Sequence, residues 1–121
     1  MKFSLFRKAI LAPFDKLQTE SGEEFLELMI ETIVLEDADS NELEVLNGWE
    51  YNLSRSRHWD KEQENYIMYD GLSDEHLEEL LEDIENLELY PVRLILNVEG
   101  MNDLDEPIHK QIIVELPEVD D

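Results

Sequence analysis

Apolar residues recur along this chain with two different periods, and the switches between them predict its elements. Phe3, Phe6, Ile10, Phe14 and Leu17 lie at helical spacing, which predicts a helix over residues 3–17 whose stripe docks on a core. Pro13 either divides this segment into a helix and a following turn or starts a second short helix. Ser21-Gly22-Glu23-Glu24 reads as a capping box. The wide apolar run Phe25, Leu26, Leu28, Met29, Ile30, Ile33 and Val34 then predicts a central helix that ends near Glu36, with Glu23, Glu24, Glu27 and Glu31 facing out.

The period changes to two over residues 42–55. Leu43 and Val45 alternate with Glu42 and Glu44, and Trp49, Tyr51 and Leu53 with Glu50 and Asn52. A β-hairpin is expected there, its turn Leu46-Asn47-Gly48 with Gly48 left-handed, so that Val45 faces Trp49 and Leu43 faces Tyr51. Both aromatics belong in the core on this reading. Tyr66 to Tyr69 is a further short strand. Ser73 caps the clearest helix, residues 74–88, whose Leu77, Leu80, Leu81, Ile84 and Leu87 span about 120° of the helical wheel. Tyr90-Pro91 ends it. Val92, Leu94, Leu96 and Val98 alternate as a strand, and a second strand, 108–116, follows a loop at 99–107. These elements predict one α+β domain over 1–121, an antiparallel sheet of four to five strands packed by two to three helices, with a short acidic tail at 117–121. Two successive helix–hairpin units also resemble a pseudo-repeat.

Composition narrows the function. The 121 residues hold 32 Asp+Glu against 9 Lys+Arg, a formal net charge of -23, yet 42% are hydrophobic, enough for a core. So acidic a chain is expected to bind neither nucleic acid nor an anionic membrane directly. The absence of cysteine removes disulfides, thiolate metal sites and cysteine nucleophiles. No run approaches the roughly 18–20 apolar residues of a membrane span. The expected location is the cytoplasm of a bacterial cell.

The charge is unevenly spread. Residues 17–54 contain eleven acids and no Lys or Arg, and residues 70–90 contain nine acids and no Lys or Arg. Ordinary surfaces mix the signs, because opposite charges at helical spacing support each other and like charges repel. Solubility or a high-salt habitat is one explanation. A field directed at a basic partner is the other.

Catalytic constellations are missing from the sequence. His58, His76 and His109 fall in different elements and share no metal-ligand spacing. There is no glycine-rich phosphate loop and no nucleophile elbow. Asp37-Ala38-Asp39-Ser40-Asn41 matches the first half of a calcium loop, but the sixth position is Glu42 and the twelfth is Gly48, so the segment reads as a connector. A non-enzymatic protein with no cofactor and no metal is expected.

The helix at 74–88 then carries the functional expectation. Glu75, Glu78, Glu79 and Glu82 fall within about 100° on the side opposite the leucines, flanked by Asp74, Asp83 and Glu85. Carboxylates three and four residues apart are spaced much like successive phosphates of a nucleic-acid strand. Such a row can occupy a surface built to bind DNA. Gln63-Glu64-Asn65-Tyr66-Ile67-Met68-Tyr69 followed by this helix resembles the strand and helix of phage uracil-DNA glycosylase inhibitors, over about a fifth of the chain. In that family an acidic residue at the strand's start engages the enzyme's DNA-binding groove. The resemblance implies that role for Glu64, with Glu78 and Glu82 as helix acids. The chain departs from the family in a longer connection from Tyr69 to Ser73, in having two strands after the helix where the family has four, and in its whole first half. The sequence reading is thus an acidic DNA-mimic inhibitor of the phage or plasmid counter-defence kind. Its partner is a basic nucleic-acid-binding protein: a nuclease, a CRISPR effector or a DNA-repair enzyme. The candidate contact residues are Glu64, Asp74, Glu75, Glu78, Glu79, Glu82, Asp83 and Glu85. An immunity protein against a basic nuclease toxin, or an acidic assembly subunit that uses the N-terminal Phe-rich helix as an oligomer contact, stands as the alternative. A homodimer is left open.

Overall fold

The computed structural model of the chain describes residues 1–20, 25–102 and 105–117. Its elements are α1 (Phe3–Glu20), β1 (Phe25–Glu36), β2 (Glu42–Asn47), a 3-10 turn (Gly48–Tyr51), β3 (Ser54–Asp60), β4 (Asn65–Asp70), α2 (Asp74–Asn86), β5 (Arg93–Asn102) and β6 (Pro107–Glu115). The fold is α+β: the described residues form two α-helices and a six-stranded antiparallel sheet in the order β4-β3-β1-β5-β6, with β2 also on β1. The proposed capping box 21–24 and the tail from 118 onward lie outside the described residues, as do the side chains of Leu17, Phe25 and Leu26.

Residues 25–36 correct the sequence reading. The expected central helix is β1, the central strand. Leu28, Ile30, Ile33 and Leu35 are fully buried, a spacing that is not strict alternation. The cause is a bulge. Against β5, Ile30 faces Val98 and Thr32 faces Asn97, so Glu31 is an extra residue that shifts the inward parity by one. Because β1 is a strand, the pseudo-repeat of helix–hairpin units is absent.

The hairpin expected at 42–55 is also replaced. β2 pairs with the C-terminal half of β1, with Val45 opposite Val34, and β3 pairs with its N-terminal half, with Arg55 opposite Leu28. One edge of β1 is therefore completed by two segments, joined by the 3-10 turn that crosses at the bulge, where the Ile30 amide donates to the Leu53 carbonyl (2.9 Å). A Cβ on Gly48 would lie 2.0 Å from the Ile30 carbonyl oxygen, so glycine is needed there for close approach and the expected left-handed turn is not its role. Asn52, with φ 53°, takes the left-handed position. Tyr51 is buried as expected, but Trp49 is 56% exposed. The Asp37–Asn41 connector closes the true hairpin, β1–β2. Asp37 Oδ1 accepts the amides of Asp39 and Asn41, each at 2.9 Å, and Oδ2 accepts Asn41 Nδ2 at 3.1 Å. The Asn41 bonds hold the Asp37 carboxyl below its ordinary pKa.

Strand β4 and the start of α2 lie where expected, and the β5–β6 hairpin forms with Leu96 opposite Ile112, but its ladder runs on through Met101 opposite Pro107, so most of the expected 99–107 loop is strand. The helix α1 runs unbroken through Pro13. A proline inside a helix loses one backbone bond. Here the fully buried Ile10 and Phe14 on either side pin both turns to the core. Phe6, Ile10 and Phe14 of α1, Leu77, Leu80, Leu81 and Ile84 of α2, and the inward residues of β1, β5 and β6 make one cluster. The other face of the sheet meets solvent, with Val45 43% and Ile113 56% exposed.

Candidate functional site

Ser73 is extended (φ -77°, ψ 161°), and its hydroxyl accepts the His76 amide, which starts α2 as the sequence predicts. The His76 Nδ1–H donates to the Gly71 carbonyl (2.7 Å), so this histidine fastens the junction. The helix stops at Asn86, two residues before the expected end, and Glu88 turns left-handed (φ 54°). Leu87 is 37% exposed instead of sitting in the core stripe.

The eight candidate acids separate into three groups. Asp74 pairs with Arg7 of α1 (2.6 Å), and Glu85 lies 3.9 Å from the amino group of Met1. Asp83 accepts the Tyr51 hydroxyl (2.6 Å). Burial first, and then the Asp83 carboxylate, hold that phenol well above its ordinary pKa. These three acids tie α2 to α1, to the residue that begins the chain and to the 3-10 turn. The second group is Glu75, Glu78, Glu79 and Glu82. All four are exposed, and none has an ion-pair partner among the described residues. Glu64 stands by itself in the β3–β4 turn with φ 53°, a full strand away from the start of α2. The structure brings the four glutamates together and does not join Glu64 to them.

The helix dipole distinguishes the two ends of α2. Asp74 and Glu75 sit in its first turn, where negative charge is favoured. The last turn has no basic residue, and Asp83 and Glu85 face the negative end of the helix dipole. That arrangement is unfavourable for the isolated helix, and the apolar stripe offsets it.

Two further groups escaped the sequence reading because they assemble across elements. Arg55 of β3 is 8% exposed, bonded to Asp15 of α1 and to Asp70 at the end of β4 (3.0 Å), and lies over the Phe14 ring at 5.2 Å. Burial alone lowers a guanidinium pKa, but the two carboxylates outweigh it and raise it. Asp70 Oδ1 also accepts the Leu72 amide (3.0 Å), so Arg55 fixes the chain entering α2. The second group lies on the open sheet face. Arg93 reaches Glu36 (3.6 Å), Glu115 (3.5 Å) and the Ser40 hydroxyl (2.8 Å), and His109 Nδ1 lies 3.3 Å from Glu99. A hydrogen bond with Glu99, then desolvation and the Glu99 charge, raise the Glu31 carboxyl above its ordinary pKa, while His109 opposes this.

Among the described residues no three His, Cys, Asp or Glu side chains are grouped to hold a metal ion, and no helix is long and apolar enough to cross a membrane. Comparison with protein-family models, with curated proteins and with solved structures returns no match.

Proposed function

We propose that the protein is a non-enzymatic inhibitor that presents the outer face of α2 to the nucleic-acid-binding surface of a basic protein. One observation carries this reading: Glu75, Glu78, Glu79 and Glu82 form an exposed row with no cation of the described chain beside it, on a helix seated by four buried apolar side chains. A rigid row of carboxylates offers Lys and Arg the charge-assisted contacts that phosphates offer. Its long-range field accelerates encounter and makes the complex sensitive to salt. Asp74, Asp83 and Glu85 add to the field while serving as internal ties. Glu64 belongs to a separate patch on this reading.

The assembly alternative has less support. The stripe of Phe6, Ile10 and Phe14 that would make its oligomer contact is buried in the chain's own core. The immunity-protein alternative shares the charge logic and differs in where on the target the contact falls. Charge reversal tests the proposal. A low-salt pull-down from a bacterial lysate, eluted by a salt gradient, identifies a candidate enzyme, whose DNA binding and activity are then measured with purified protein. Wild type is expected to inhibit in competition with duplex DNA. Glu78→Lys with Glu82→Lys is expected to keep the fold and lose inhibition. Full inhibition by the folded double variant removes α2 from the mechanism. Inhibition that DNA does not compete favours the immunity-type contact away from the active site.

A further inference from the structure

A cavity of about 660 Å³ opens where the last turn of α2 meets the start of β5 and the end of β6. Its walls are apolar, with Leu81 and Ile84 from α2, Val92 before β5 and Leu116 after β6. Its volume falls within the range of small-molecule sites, which are largely apolar with a few placed polar groups. Three carboxylates also line it, Glu85, Glu88 and Glu115, against one cation, the amino group of Met1, which lies 3.9 Å from Glu85. Glu115 is reached by Arg93 from the sheet face (3.5 Å), so Glu88 is the lining carboxylate with no ion pair among the described residues. The C-terminal end of α2 adds its own negative potential, with no basic residue in the last turn to oppose it. Tyr90 lines the cavity too, 78% exposed and held at φ 50°, an uncommon conformation for an aromatic residue. An exposed ring beside carboxylates suits a cation, which is attracted to the aromatic face.

We infer that this cavity is a binding site for a small amphiphilic cation, an apolar chain ending in an ammonium-type head. The apolar walls take the chain. The head lies at the mouth beside Glu88 and the Tyr90 ring. An anionic amphiphile meets three carboxylates against one ammonium there, and a neutral one loses the contacts of the head. The inference is independent of the inhibitor reading, because it uses the end of α2 and leaves its outer row untouched.

The test uses the full chain and octyltrimethylammonium below its micelle concentration, followed by methyl NMR and calorimetry. Octanol, octyl sulfate and tetramethylammonium serve as comparisons. Saturable shifts confined to the methyls of Leu81, Ile84, Val92 and Leu116 are expected, with affinity ~5-fold above that of octanol, the scale of a cation held over an exposed aromatic face. Tetramethylammonium is expected to produce no saturable shift at those methyls. Val92→Trp, at a position already 38% exposed, is expected to fill the cavity and abolish the shifts. Glu88→Gln with Tyr90→Leu is expected to bring the cation down to the affinity of octanol. Shifts spread over methyls remote from the cavity, no saturation, or equal affinity for octanol and the cation in wild type would each overturn the inference, whether or not the variants fold.

Discussion

The open sheet face and the outer face of α2 are both acidic, and they handle the charge differently. On the sheet, Glu36 and Glu115 share Arg93, and Glu99 lies 3.3 Å from His109. On α2, Glu75, Glu78, Glu79 and Glu82 have no such relief among the described residues. The chain therefore has the means to compensate its carboxylates and uses them on one face. Composition alone does not account for the bare row on α2, which is why the proposed contact lies there.

The sharpest way to break the comparison is matched charge reversal. Glu78→Lys with Glu82→Lys is expected to weaken binding to the captured target by ~100-fold or more, as loss of well-placed charge pairs does. Glu31→Lys with Glu99→Lys is expected to leave it within about threefold. Equal losses in titration calorimetry would mean that net charge, and not the row, is recognised. Stability reverses the ranking. Arg93→Met leaves Glu36 and Glu115 without their cation and is expected to cost about 1 kcal/mol in urea denaturation. Glu79→Gln is expected to stay within about 0.5 kcal/mol of wild type or to gain slightly.

Acid titration sharpens the contrast further. A carboxyl whose folded pKa is raised stabilises the fold below its unfolded pKa, and that stability is lost as pH rises through the folded value. Glu31→Gln is accordingly expected to match wild type near pH 4 and to melt at a higher temperature at pH 7. A constant difference across that range would show that Glu31 does not share a proton with Glu99. The smallest expected effect is that of salt. Added sodium chloride should raise the melting temperature of wild type, and less so when the four α2 glutamates are changed to Gln.

The sequence was most readable where structure is local. The α2 row follows from the spacing of Leu77, Leu80, Leu81 and Ile84 and from the Ser73 cap, all within one helix. β1 was misread because Leu26, Met29, Ile30, Ile33 and Val34 fall at i, i+3, i+4, i+7 and i+8, a helical set, while the bulge at Glu31 breaks the strand alternation that would have contradicted it. The 42–55 hairpin was misread because its turn residues serve another contact: Gly48 lets the chain cross Ile30, and the pairing that matters is to β1. Arg55, the Glu31–Glu99–His109 group and the cavity join residues from distant parts of the chain, so no local period announces them.

Sharing one edge of β1 between β2 and β3 also constrains the order in which the chain can assemble. The connector at 37–41 lets β1 and β2 meet early, since they are neighbours in sequence. The opposite edge waits for β5, as the bond between Thr32 and Asn97 spans 65 positions. Until then the central strand has one open side, which is the state most exposed to pairing with another chain. A ribosome releasing this protein therefore holds an incomplete sheet while α2 emerges. Repulsion between like-charged nascent chains is a physical safeguard during that interval.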